Sequence, residues 1–148
     1  MLTHSEQYFD GKLIVTYETL DDTKKFGKDG RDSDSLYQLL LSVDGVQAVL
    51  FVRQDTDKTC TAGFRSKDAI DVSTIAAKFG GGGHKNAAGL STEGTIDTLL
   101  PQIIKEFEKV LNTNLIGPFL TSKYISKYML EQKGGKIINI SSTNGIDT

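Results

Sequence analysis

Tryptophan is absent from this 148-residue chain, and cysteine, histidine and proline are scarce at one, two and two residues. A lone cysteine, Cys60, excludes an intramolecular disulfide and a cysteine-built zinc site, and it fits a reducing, cytoplasmic setting. Its place in a β-rich run marks it as a buried strand residue. With only His4 and His84, the chain has no histidine pair at ligand spacing, so no metal site is expected. No apolar run approaches the roughly 18 residues of a membrane span. The start, MLTHSEQYFDGK, has neither the basic region nor the apolar stretch of an export signal. Strong charge of either sign is missing too. A formal net charge of −2 with 38% hydrophobic residues suits a globular domain and not a DNA-coating one, so any anion must be bound locally.

Glycine is what the chain has, at 15 residues, four of them consecutive at positions 80–83. Around that run the patterns predict an α/β fold. Residues 8–18 read as two strands around Asp10-Gly11, a pair suited to the positive φ angles of a tight turn. Thr19 can cap a short helix through Phe26, with Asp21 and Asp22 favourably placed in its first turn. Leu36, Leu39, Leu40 and Val43 recur at helical spacing over residues 32–43. Residues 46–53 and 59–65 form an antiparallel hairpin, the centre of a mixed sheet. A helix from Asp71 or Ser73 buries Val72, Ile75, Ala76 and Phe79 and stops at the glycines. The next apolar stripe begins near Thr95. Proline costs about 3 kcal/mol inside a helix, so the regular helix is expected to start at Pro101.

Beyond Asn112 an apolar turn, a helix over residues 118–132 and a strand over residues 136–140 read as one Rossmann-like helix–strand unit. Ile137, Ile138 and Ile140 require burial on both faces of that strand. An unpaired apolar strand invites association, so a homo-oligomer through it is a candidate partner arrangement.

The chemistry concentrates in GGGGHKNAAG, residues 80–89. Consecutive glycines let backbone N–H groups converge on a phosphate, and His84 follows at once as a further donor. Arg65, Ser66 and Lys67 end the preceding strand, where a guanidinium, a hydroxyl and an ammonium could reach the same side of the sheet. A glycine run alone is as often a helix stop or a flexible loop, and Lys67 alone reads as a solvated surface charge.

The stretch from Gly45 to Leu90, with F-R-S-K, then I-D-V-S-T-I-A, then F-G-G-G-G-H-K-N-A-A-G, resembles the DHH-associated C-terminal domain of the DHH phosphoesterases. Within that family it is most similar to the oligoribonuclease and phosphoadenosine-phosphate phosphatase branch. The match covers about residues 6–108. The resemblance implies a substrate-binding lobe for nucleotide phosphates or the end of a short oligonucleotide. The residues it points to are Arg65, Gly81, Gly82, Gly83 and His84, with Ser66 and Lys85 beside them. It also implies that hydrolysis belongs to a separate domain holding two manganese ions. This chain is therefore expected to carry no cofactor and no catalytic residue of its own.

The tail resembles a second family. FEKVLNTNLIGPFLTSKYISKYMLEQKGGKIINISSTNGI is similar to the middle of a short-chain dehydrogenase/reductase, with Asn114 and Ser142 matching catalytic positions. No glycine-rich dinucleotide fingerprint and no Tyr-x-x-x-Lys accompany them, so hydride transfer is not expected. The two patterns meet around residues 105–110. This divides the chain into residues 1–106 and 107–148, and it implies a recombined or engineered chain in which the tail serves packing or oligomerisation.

Overall fold

A computed structural model describes residues 4–27, 32–67 and 70–139, without the side chains of residues 114 and 115. Its centre is a six-stranded mixed sheet in the order β1-β2-β3-β4-β6-β5. The strands are β1 (Ser5–Tyr8), β2 (Leu13–Glu18), β3 (Ala48–Thr56), β4 (Thr59–Ser66), β5 (Gly82–His84) and β6 (Ala87–Glu93). Only β2 and β3 run parallel, because helices α1 (Leu20–Phe26) and α2 (Ser33–Leu41) lie between them in the chain. The α/β fold class is as expected.

Local sequence chemistry accounts for the elements. The connection between β1 and β2 holds Phe9, Asp10 and Gly11 at φ of 56°, 55° and 80°. Thr19 caps α1 in a reciprocal box, its backbone N–H donating to Asp22 at 2.9 Å while its hydroxyl accepts from the Asp22 N–H at 3.2 Å. The Asp71 carboxylate caps α3 (Val72–Lys78) by accepting from the Ser73 N–H at 3.0 Å.

Strand alternation divides the sheet into two unlike faces. On one, Leu13, Val15, Leu50, Val52 and Phe64 are buried under α3 and α4 (Ile96–Leu111), against Ile75, Ile103 and Phe107. On the other, Ile14, Val49 and Phe51 are buried under Leu36, Tyr37 and Leu40 of α2. Leu39 and Val43 are 59% and 44% exposed. Tyr37 takes the core position that the leucine spacing suggested for Leu39. That second apolar cluster draws no residue from β4, β6 or β5.

Helix α4 corrects the expectation that Pro101 begins the helix. It starts at Ile96 and runs through the proline. Burial of Ile96, Leu99 and Leu100 offsets the one lost hydrogen bond. Gln54, buried in β3, holds its first turn. The Gln54 Oε1 accepts from the Ile96 N–H at 2.9 Å, and its Nε2 donates to the carbonyls of Thr56, Thr59 and Gly94. Cys60 is buried beside it, as expected, and its thiol donates to the same Oε1.

The tail departs further from expectation. Instead of a turn, a π-helical segment (Asn112–Ile116) joins α4 without a break to α5 (Gly117–Glu131). No described residue of α5 is buried, and Phe119, Tyr124 and Tyr128 are exposed. Residues 136–139 form no strand, and Ile138 is 82% exposed. A strand needs an edge to pair with, and these residues meet none. Ile140 and Ser142 lie outside the described residues, as does the side chain of Asn114.

Candidate phosphate-binding tray

The four glycines of the run differ in what they do. Gly80, at φ 78°, ends α3: its N–H donates to the Ala77 carbonyl at 3.2 Å and that of Gly81 to Ala76 at 2.9 Å. Gly81 and Gly83 press against β6. A Cβ on Gly81 would sit 2.3 Å from the Gly89 carbonyl oxygen, and one on Gly83, at φ 145°, 2.5 Å from that of Ala87. Gly82 differs, since a Cβ there would meet nothing within 4 Å. The expected nest of converging N–H groups is therefore corrected. The first of these donors serve the helix end, and residues 82–84 form an extended edge strand, because pairing with β6 satisfies the backbone better than a free loop.

Register then assembles a site that sequence spacing does not show. Val49 pairs with Arg65, Arg65 with Ala87, and Ala87 with His84, in one row across β3, β4, β6 and β5. Directly opposed residues share a face, so Arg65 and His84 stand on the face that α2 covers only in part. At the usual strand spacing their Cα atoms are about 10 Å apart, with the methyl of Ala87 between them. The next row on this face is Phe51, Gly63, Gly89 and Gly82. Tyr37 covers Gly63, which leaves Gly89 and Gly82 side by side as a floor of bare backbone. The tray is open because nothing apolar on it demands a cover.

Arg65 is the best-defined group on the tray. Its guanidinium lies 4.7 Å from the centre of the Tyr37 ring. It donates to the Phe64 carbonyl at 3.0 Å and to the Asp34 carboxylate at 3.0 Å. Burial pushes the Tyr37 phenol up to about 12, which keeps the ring neutral beneath the cation. Gly63 makes room for this arrangement, since a Cβ there would lie 2.1 Å from the Tyr37 hydroxyl.

Ser66 does not join Arg65. Alternation turns it to the opposite face, where it is 6% exposed and donates to the Ile70 carbonyl at 2.7 Å. The expected common side for the guanidinium and this hydroxyl is thus corrected, and Ser66 secures the loop behind the site. Lys85 opens the turn from β5 to β6 beside exposed His84, its carbonyl accepting from the Val72 N–H at 2.9 Å. Lys67 is exposed past the strand end, as a solvated charge should be. Tyr37 and Asp34 escaped the sequence reading of the site, although an isolated glycine in a strand, Gly63, signals a close approach.

The DHHA1 domain model matches residues 10–113, over two thirds of the chain and all of the tray. The chain belongs to the DHHA1 domain family. A solved exopolyphosphatase-related protein from Bacteroides fragilis is 29% identical to this DHHA1 domain at a TM-score of 0.61, covering 75% of this chain and 32% of its own. A pGpG-specific phosphodiesterase from Vibrio cholerae shares the fold at 12% identity and a TM-score of 0.53, covering 76% of this chain and 36% of its own. A short chain dehydrogenase model matches residues 84–148. A 3-oxoacyl-[acyl-carrier-protein] reductase from Synechocystis is 47% identical over 53 residues, which is 35% of this chain and 22% of that protein. The chain thus spans about a third of the solved relatives and about a fifth of the reductase.

Among the described residues no group of three or more histidine, cysteine, aspartate or glutamate side chains is placed to hold a metal ion. Manganese, which the resemblance implies for a separate domain, has no such ligand set on this tray. A separate cavity of about 450 Å³ at the far end of the sheet is lined by Asp21, Asp57 and Asp97 with Lys24. Its carboxylates disfavour an anion. No helix among the described residues is long and apolar enough to cross a membrane.

Proposed function

We propose that the chain is a phosphate-holding, substrate-binding lobe of the DHH phosphoesterase kind, taking a nucleotide or the end of a short oligonucleotide and performing no hydrolysis alone. The observation that carries this is the row Arg65, Ala87, His84 beside a glycine floor on an open sheet face. A phosphate over Ala87 is within reach of a planar guanidinium fork on one side and an imidazole N–H on the other. Gly82, which the fold does not require to be glycine, lets the ligand approach the backbone. Lys85 adds a flexible cation at the rim. Ser66 contributes only by holding the loop. The exopolyphosphatase-related name of the 29% identical relative accords with phosphate chemistry.

The contacts belong to one lobe, so the expected affinity is on the order of 100 μM to 1 mM. Titrating the protein with phosphoadenosine phosphate while following the amide resonances of residues 82–84 tests this. Unmoved resonances at millimolar ligand refute it. In this reading the chain needs no cofactor, its partner is a nucleotide or short oligonucleotide, and its setting is cytoplasmic.

A second reading concerns the tail. The DHHA1 match ends at residue 113, inside the π-helical segment, and burial stops there too, with α4 in the core and α5 outside it. This supports a chain recombined near residues 105–113, whose exposed α5 is left to self-association. An uninterrupted natural gene for all 148 residues would refute recombination by engineering.

A further inference from the structure

Arg65 already has an anion. The Asp34 carboxylate, in the first turn of α2, sits 3.0 Å from its Nη2, and at 74% exposure it is free to swing into water. We propose that Asp34 is a built-in competitor, a latch that occupies the phosphate-binding guanidinium until a ligand displaces it. This rests on the reading of the tray given above and adds a residue that sets its affinity.

The geometry favours a competitor over a positioner. Arg65 keeps two other anchors, the Tyr37 ring at 4.7 Å and the Phe64 carbonyl at 3.0 Å, and neither involves Asp34. Removing the carboxylate leaves the guanidinium in place with free donors. Asp34 does not cap its helix, a role taken by Asp32, which accepts from the Ser35 N–H at 3.1 Å. An exposed ion pair of this kind holds the latch closed by a factor of about 1.4 to 5. A ligand that must open it binds more weakly by one plus that factor, whatever the ligand is. Asp34→Asn should therefore tighten binding about two- to sixfold, and by the same factor for different phosphates.

The test uses the whole chain, with pyrophosphate and phosphoadenosine phosphate as probes, in four proteins: wild type, Asp34→Asn, Arg65→Ala and the double variant. Asp97→Asn, which removes the same charge from the first turn of α4 at the far end of the sheet, is the control. The latch predicts an equal gain for both probes in Asp34→Asn, none in Asp97→Asn, and no gain from Asp34→Asn once Arg65 is alanine. Equal or weaker binding by Asp34→Asn overturns the latch while leaving the tray. A gain that survives in the Arg65→Ala background, or one matched by Asp97→Asn, overturns it also, since general charge would then be the cause. If no protein binds either probe, the tray reading fails and the latch fails with it.

Discussion

Replacing Gly82 by alanine separates folding from binding at a single atom. A Cβ at this position meets no heavy atom within 4 Å, and the residue lies in an exposed strand outside the left-handed region. Alanine where glycine is not needed stabilises by about 0.4 to 1 kcal/mol, by narrowing the unfolded ensemble. For a chain of this size that corresponds to a rise in melting temperature of about 1–4 °C. Its neighbour behaves oppositely. Gly83→Ala would place Cβ 2.5 Å from the Ala87 carbonyl oxygen and 2.6 Å from the Ala88 Cα at φ 145°, and should destabilise by about 2 to 4 kcal/mol. If a phosphate rests against residue 82, the added methyl takes its space. An affinity loss of tenfold or more, about 1.4 kcal/mol, is then expected in the protein that melts higher. Thermal melting and a phosphoadenosine-phosphate titration on both variants read the two quantities. Wild-type affinity in Gly82→Ala would refute ligand approach at this strand, and melting as low as that of Gly83→Ala would refute the described packing.

Two further outcomes follow from the same structure. Gln54→Leu keeps side-chain volume but takes the amide donor from the Thr56, Thr59 and Gly94 carbonyls and the acceptor from the Ile96 N–H, so a loss of about 3 kcal/mol is expected in denaturant titration, and a loss below 1 kcal/mol would sink its role as a hub. The carboxyls of Asp22 and Asp32 are lowered chiefly by hydrogen bonds from the Thr19 and Ser35 hydroxyls, and that of Glu106 by Lys109 and Lys78. Groups whose folded pKa is depressed stabilise above the unfolded value of about 4 and lose that contribution as pH falls through the folded one. Stability should therefore hold from neutral pH to about 5 and decline below 4; a melting temperature that rises on acidification would contradict the assignment.

Much of the fold was legible because single residue types dictate local geometry. Thr19, Asp32 and Asp71 announce helix starts, Gly80 a helix end, and Asp10-Gly11 a reversal. Pro101 misled because its local cost is set against burial of Ile96, Leu99 and Leu100, which only tertiary structure supplies. The site was half legible. Arg65 and His84 could be named from their motif, but their alignment across Ala87 depends on the register of three strands. Ser66 was misplaced because neighbours in sequence on a strand face opposite ways. Tyr37 and Asp34 reach Arg65 from an element some 30 residues distant, a contact that local patterns do not encode. In the tail the helix was legible and the strand was not. Its strand pattern presupposes a neighbouring strand, and residues 136–139 pair with none.

The unbroken passage from α4 into α5 makes the molecule a lever as well as a lobe. With α4 rooted in the core by Ile103, Phe107 and Leu111, the helix beyond Leu111 projects as one arm of about 30 Å. Whatever is attached beyond Glu131 inherits a fixed bearing. Adding one residue within α5 would turn that cargo by about 100° about the arm, and adding seven would return it nearly to its first heading.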